Sequence, residues 1–168
     1  FLARSGIRFW QTCPVGPTGY GDSPYQVFSS SAGNPYFIDW DPLIRIGLIY
    51  EEELSALREL SSHEVDYGRL YQEFFPCARL AFSRFSDHMD DLESLYGNLE
   101  SFSQENASWL TPYACFQVLK QREEGKPWWK WSESSKNADS ILLAETSDDP
   151  DFAFHVFLQY LFWGQWKS

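Results

Sequence analysis

Positive charge is what this sequence has too little of: 13 Lys and Arg face 24 Asp and Glu, for a net charge of −11. Phosphate backbones and anionic lipid surfaces are gripped by clustered Lys and Arg, so no nucleic acid and no membrane is expected as a partner. No apolar run reaches the roughly 18 residues that cross a bilayer. No basic and then apolar leader opens the chain, so no signal peptide is expected. Cysteine is scarce too. Cys13, Cys77 and Cys115 lie far apart, odd in number and without a Cys-x-x-Cys pair. That excludes a disulfide framework and a zinc or redox motif, and it points to a reducing compartment. The sequon Asn106-Ala107-Ser108 would matter only in a secreted protein. His63, His88 and His155 show no metal-ligand spacing, so no metal is expected.

Aromatic residues are what the sequence has in excess, with 14 Phe, 9 Tyr and 8 Trp making 18% of its 168 residues. With 43% hydrophobic residues the chain is too apolar for disorder. Residues 7–15 (IRFWQTCPV) lack a helical period, are rich in β-formers and stop at Pro14 and the glycines beyond, which predicts a buried strand. A strand alone cannot satisfy its own backbone groups, so it needs a partner sheet, and the start at Phe1 suggests a piece of a longer product. Residues 16–31 form a long loop of Gly, Pro, Tyr and Ser, read as functional.

The remainder is helical in pattern. Asp41-Pro42 predicts a capped start ending at Gly47, and Glu51, Glu52 and Glu53 read as the solvated first turn of the next helix. Tyr71, Phe74, Phe75, Ala78, Phe82 and Phe85 recur every three or four residues, as do Leu92, Leu95, Tyr96, Leu99 and Phe102. Thr111-Pro112 predicts another helix start, with a stop at Gly125. A last helix begins near residues 148–151 and carries Phe152, His155, Val156, Tyr160, Trp163 and Trp166. His155 reads as a hydrogen-bonded packing residue. Between these helices Trp128, Trp129 and Trp131 read as a plug between helices, in preference to a platform stacking on sugar rings.

Generic motif tests fail. Gly16-x-x-Gly19-x-Gly21 is neither a dinucleotide fingerprint nor a P-loop, and residues 21–25 lack the last glycine of a nucleophile elbow. The loop nevertheless comes directly after the carboxyl end of a predicted strand, where barrel and open α/β folds bind ligands. Its tyrosines, serine and aspartate combine ring faces with hydrogen-bonding groups, a surface suited to an uncharged polyhydroxylated ligand.

Residues 10–26 (WQTCPVGPTGYGDSPYQ) and 31–43 (SAGNPYFIDWDPL) resemble the signature of the 4-α-glucanotransferases, the amylomaltase or disproportionating-enzyme family. The resemblance continues through VDYGRLY (65–71), KPWWKW (126–131) and FHVFLQYLFWGQW (154–166), in order and over nearly the whole chain. It implies an α/β fold, a fragment of a (β/α)8 TIM barrel with the first strand and a mostly α-helical insertion present. Residues 1–45 would hold that strand and the substrate-binding loop, and 46–168 the insertion leading towards the second strand. The implied reaction moves α-1,4-glucan segments to a 4-hydroxyl acceptor by retaining double displacement, without metal or organic cofactor. The implied partners are maltooligosaccharides or starch- or glycogen-type α-glucan, together with the remainder of the barrel. The implied location is cytoplasmic, or plastidial in a plant.

Carried over by motif, Ser23 and Tyr25 would stand beside the donor sugar, and Tyr20 resembles a tyrosine used at a second glucan-binding spot. Asp22 would hold the loop's shape. The family's catalytic carboxylates map onto no residue here, so no catalytic residue is assigned and the chain alone is expected to be inactive. Cys13 and Val15 stand where the family has leucines, and Ser31 where it commonly has an aromatic residue. A glucan-binding or structural remnant without chemistry is the alternative, and an all-helical interaction protein a third reading.

Overall fold

The computed structural model describes residues 3–9, 11–19, 21–137 and 140–167. Eight α-helices occur among them: α1 (Asp41–Arg45), α2 (Ser55–Arg58), α3 (Tyr67–Ser83), α4 (Met89–Tyr96), α5 (Leu99–Arg122), α6 (Glu133–Lys136), α7 (Ser140–Ser147) and α8 (Pro150–Trp166). Five 3-10 turns punctuate them, at Ala3–Ser5, Pro35–Phe37, Glu51–Leu54, Phe85–His88 and Trp128–Lys130.

α8 is the axis of the fold. Phe154, Phe157, Leu158, Tyr160, Leu161 and Phe162 are all buried along it. A helix apolar on every side must be enclosed, and α3, α4, α5, α7 and the turn Pro35–Phe37 all pack on α8. One core joins these residues to Phe74 and Ala78 of α3, Leu92 of α4, and Ile38, Leu43 and Leu48 from the segments before α2. Aromatic edges interlock within it: Phe82 meets Phe154 at 5.5 Å and Phe157 at 5.4 Å, and Tyr36 meets Phe74 edge-on at 5.2 Å.

The predicted first barrel strand is not formed. Residues 7–9 and 11–15 are irregular, with Ile7 48% and Phe9 91% exposed. A strand exists through its partner's N–H and C=O groups, and the bridge found among the described residues, Thr18 to Val27, does not involve this segment. Its far end is tied to the body by the Asn34 N–H, which donates to the Val15 carbonyl at 2.7 Å. The β part of the α/β expectation is thus reduced, among the described residues, to a single antiparallel bridge between Thr18 and Val27.

The predicted helix start at Thr111-Pro112 is also corrected. α5 begins thirteen residues before Pro112, capped by the Asn98 side chain, which accepts from the Ser101 N–H at 2.9 Å, and runs straight through it. Proline costs a helix one N–H and leaves the carbonyl four residues earlier without its donor. Ser108, whose carbonyl is affected, and Pro112 itself are both exposed, so the carbonyl left without its donor is open to solvent. The same holds for Pro76 inside α3, where Gln72 and Pro76 face solvent. The apolar period at Leu92–Phe102 is split by Gly97 and Asn98 into the end of α4 and the start of α5. Gly47 and Gly125, at φ +77° and +72°, end α1 and α5 as predicted. Asp149 caps α8, its side chain accepting from the Asp151 N–H at 2.8 Å.

Candidate functional site

The loop at residues 16–31 is closed like a hairpin. The Gly19 N–H donates to the Gln26 carbonyl at 3.2 Å, and the Phe28 N–H donates to the Pro17 carbonyl at 3.0 Å. The tip turns through Gly21 and Asp22, both at positive φ. Asp22 tolerates this conformation because its short side chain suits left-handed backbone. The Gln26 N–H then donates to the Ser23 carbonyl at 3.0 Å. At the loop's exit the Ser29 hydroxyl oxygen accepts from the Ser31 and Ala32 N–H groups, each at 3.1 Å.

α8 clamps the chain just beyond this exit. The fully buried Gln159 accepts from the Gly33 N–H at 2.8 Å and donates to the Gly33 carbonyl at 2.9 Å. One amide side chain thereby satisfies both backbone groups of a buried residue, as a neighbouring strand would. Gln165, six residues on, repeats this on Asp39 at 2.7 and 2.9 Å. Glycine at 33 is obligatory for contact: a Cβ there would lie 1.9 Å from the Phe162 ring.

Beside the loop lies an open groove of about 1070 Å³. The loop contributes Pro17–Gly19, Gly21, Asp22 and Phe28; α3 gives Tyr71 and Arg79, α5 gives Tyr113 and Lys120, and α8 gives His155. Arg79 pairs with Asp151 at 2.6 Å and lies over the Phe154 ring at 3.6 Å. Burial, with help from the Arg79 charge, pushes His155 down to about 4. At neutral pH the imidazole is therefore uncharged, and its buried Nε2 has no hydrogen-bond partner among the described residues. His155 is thus a packing residue, with one ring nitrogen left unbonded among the described residues. Burial also raises Tyr36 to about 12 and moves Tyr113 in the same direction, so both phenols keep their protons. The groove's lining acids are Asp22 and Glu124. Glu124 is paired with Lys126 at 2.8 Å, which favours its carboxylate over a proton-donating form. Among the described residues no group of His, Cys, Asp and Glu is placed to hold a metal ion. The groove thus sets neutral phenols, an uncharged imidazole and ring faces among the charged groups of Asp22, Arg79, Lys120 and Glu124.

Of the three motif residues, Tyr20 lies outside the described residues. Ser23 is half-buried, and its Oγ accepts from the Tyr25 N–H at 3.3 Å. Tyr25 is 77% exposed, with its hydroxyl 3.8 Å from the Cys13 sulfur. The fold therefore brings Ser23 and Tyr25 together at the loop tip, but neither lines the groove. Tyr71 and Tyr36, which do line it, are the residues that the sequence does not single out as binding groups. Tyr71 stands on a helical apolar period that predicts a core position, yet it is 62% exposed.

The model of the 4-alpha-glucanotransferase family matches residues 1–168. A 4-alpha-glucanotransferase of Thermus thermophilus is 39% identical over 170 residues, which cover 100% of this chain and 33% of that protein. One from Streptococcus pneumoniae serotype 4 is 35% identical over 99% of this chain and 33% of its own length. Among solved structures, an amylomaltase from Streptococcus agalactiae in complex with acarbose superposes with a TM-score of 0.80. It is 29% identical and covers 99% of this chain and 33% of that one. The chain thus spans about a third of the length of the relatives it matches.

Proposed function

The chain belongs to the 4-alpha-glucanotransferase family, and from this premise we propose that it supplies part of the glucan cleft of such an enzyme. The whole enzyme transfers α-1,4-glucan segments between maltooligosaccharides or starch- and glycogen-type chains by retaining double displacement. One carboxylate attacks the anomeric carbon; a carboxylic acid protonates the leaving oxygen and then activates the acceptor hydroxyl. Neither carboxylate is assigned to these residues, and the chain alone has no transferase activity. Residues 1–45 bring the first barrel strand and the binding loop, and 46–168 the helical insertion. Residues 7–15 become a strand when the rest of the (β/α)8 barrel offers an edge. The enzyme works in the cytoplasm, or in a plastid in a plant.

The loop carries this reading. Its closed hairpin presents Ser23 and the exposed ring of Tyr25 side by side, and the acarbose held by the Streptococcus agalactiae relative supports a glucan as ligand. Tyr25 offers its ring face and hydroxyl, Ser23 its hydroxyl, and Tyr20 a further ring. The test is electrophoresis of the chain through a gel containing soluble starch. Retardation of the wild type, weakened about tenfold in affinity by Tyr25→Ala (a loss of about 1.4 kcal/mol), is expected. Glucose is not released from maltotriose. Unretarded migration of the wild type, or release of glucose by the chain alone, would overturn the reading.

A further inference from the structure

Two indoles stand in solvent outside the groove, at the break between α5 and α6. Trp128 and Trp129 are 61% and 62% exposed, and their rings meet edge to face with centroids 6.4 Å apart and planes at 83°. The third indole of the run does the opposite. Trp131 is buried, stacks on Phe116 at 5.4 Å and donates its Nε1–H to the Lys126 carbonyl at 2.8 Å.

The turn that carries the exposed pair is closed on itself. The Lys130 and Trp131 N–H groups donate to the Pro127 and Trp128 carbonyls at 2.8 and 3.1 Å. At its base, Glu123 Oε1 accepts from both the N–H and the hydroxyl of Ser132, at 3.1 and 2.6 Å. The scaffold is continuous with the groove wall, because Phe116 also packs on the groove-lining Phe28 at 5.6 Å. Of the two readings of KPWWKW, the plug describes Trp131 alone.

We propose that Trp128 and Trp129 form an outlying contact for α-1,4-glucan, an inference that rests on the reading that this chain handles such glucans. A pyranose ring has an apolar C–H face that stacks on an aromatic ring while its hydroxyls stay in water. Rings held by a fixed turn lose little freedom when such a ligand arrives. Two ring planes near a right angle make an angled surface. That surface suits a chain that turns at every α-1,4 linkage, and it does not match the flat ribbon of a β-1,4-glucan. The net charge of −11 favours a neutral ligand over a polyanion. The contact holds a long glucan beyond the groove, so its effect grows with chain length.

The test compares wild type, Tyr25→Ala and the double variant W128A/W129A in gels containing soluble starch or hydroxyethyl cellulose, with circular dichroism confirming equal helicity. The double variant is expected to lose about three- to tenfold in starch affinity, with no retardation of any form by the cellulose derivative. A conservative W128F/W129F variant restores most of the loss, which covers misfolding of the alanine variant. Starch affinity equal to wild type in W128A/W129A, while Tyr25→Ala loses it, overturns this contact and leaves the proposed function standing. Equal retardation in the cellulose derivative overturns it as well. So does a wild-type dimer, seen in sedimentation, that W128A/W129A dissociates. A wild type that starch does not retard removes both readings together.

Discussion

Glu53 shows how a residue can be right in place and incomplete in role. Read as the solvated first turn of a helix, it does cap that turn, accepting the Tyr50 N–H at 2.9 Å. It also makes a two-pronged pair with Arg84, at 2.6 and 2.7 Å, while Arg84 covers the Tyr50 ring at 4.8 Å. The side chains are only 22% and 28% exposed. The Arg84 hydrogen bonds hold the Glu53 carboxyl down at about 2, against an opposing push from burial. A carboxyl depressed by folding stabilises the protein above its unfolded value and loses that contribution as pH falls to the folded one. Replacing Glu53 with Gln should therefore cost on the order of 2–3 kcal/mol at pH 7 in urea unfolding. The gap between wild type and variant should shrink between about pH 4.5 and 2 and close below that. A gap that does not change with pH would show that the pair does not titrate as described. Arg84 lies 31 residues from Glu53; no local pattern announces such a partner, so the sequence could place the carboxylate but not its pair.

Among the elements, α8 and the segment at residues 33–39 are held by means no periodicity reveals. The apolar residues of α8 were legible as a helix, and so was its start near residues 148–151. What its two glutamines do was not, because polar residues in an apolar helix carry no sign of their partner. Gln159 and Gln165 grip Gly33 and Asp39 across 126 residues of sequence. Gly33 sits flat against Phe162, so Gly33→Ala should cost about 1–3 kcal/mol or more through overpacking. Phe162→Leu should recover part of that loss in a double-mutant cycle of thermal unfolding. Strictly additive costs would mean that the ring contact is not what fixes glycine there. The prolines teach the reverse lesson. Pro112 looks like a helix boundary, yet like Pro76 it sits inside a helix on an exposed face, where water can reach the carbonyl left without its donor.

At the scale of the whole molecule, the helical part was readable because its apolar faces close on one another within these 168 residues. Residues 7–15 were not, because a strand is specified by neighbours as much as by its own β-formers, and among the described residues no β-bridge pairs with it. The binding loop is intermediate. Its motif was recognisable as a string, and the bridge at Thr18 and Val27 closes it locally. The groove beside it draws on α3, α5 and α8, whose meeting only the tertiary fold decides. The account's central claim is that this loop is the first place where the glucan meets the chain. The most direct test tracks backbone amide resonances of the chain as maltoheptaose is added. The account predicts progressive shifts in residues 16–31, strongest at Ser23 and Tyr25 and lost in Tyr25→Ala. Saturable shifts elsewhere that leave residues 16–31 unmoved would contradict it.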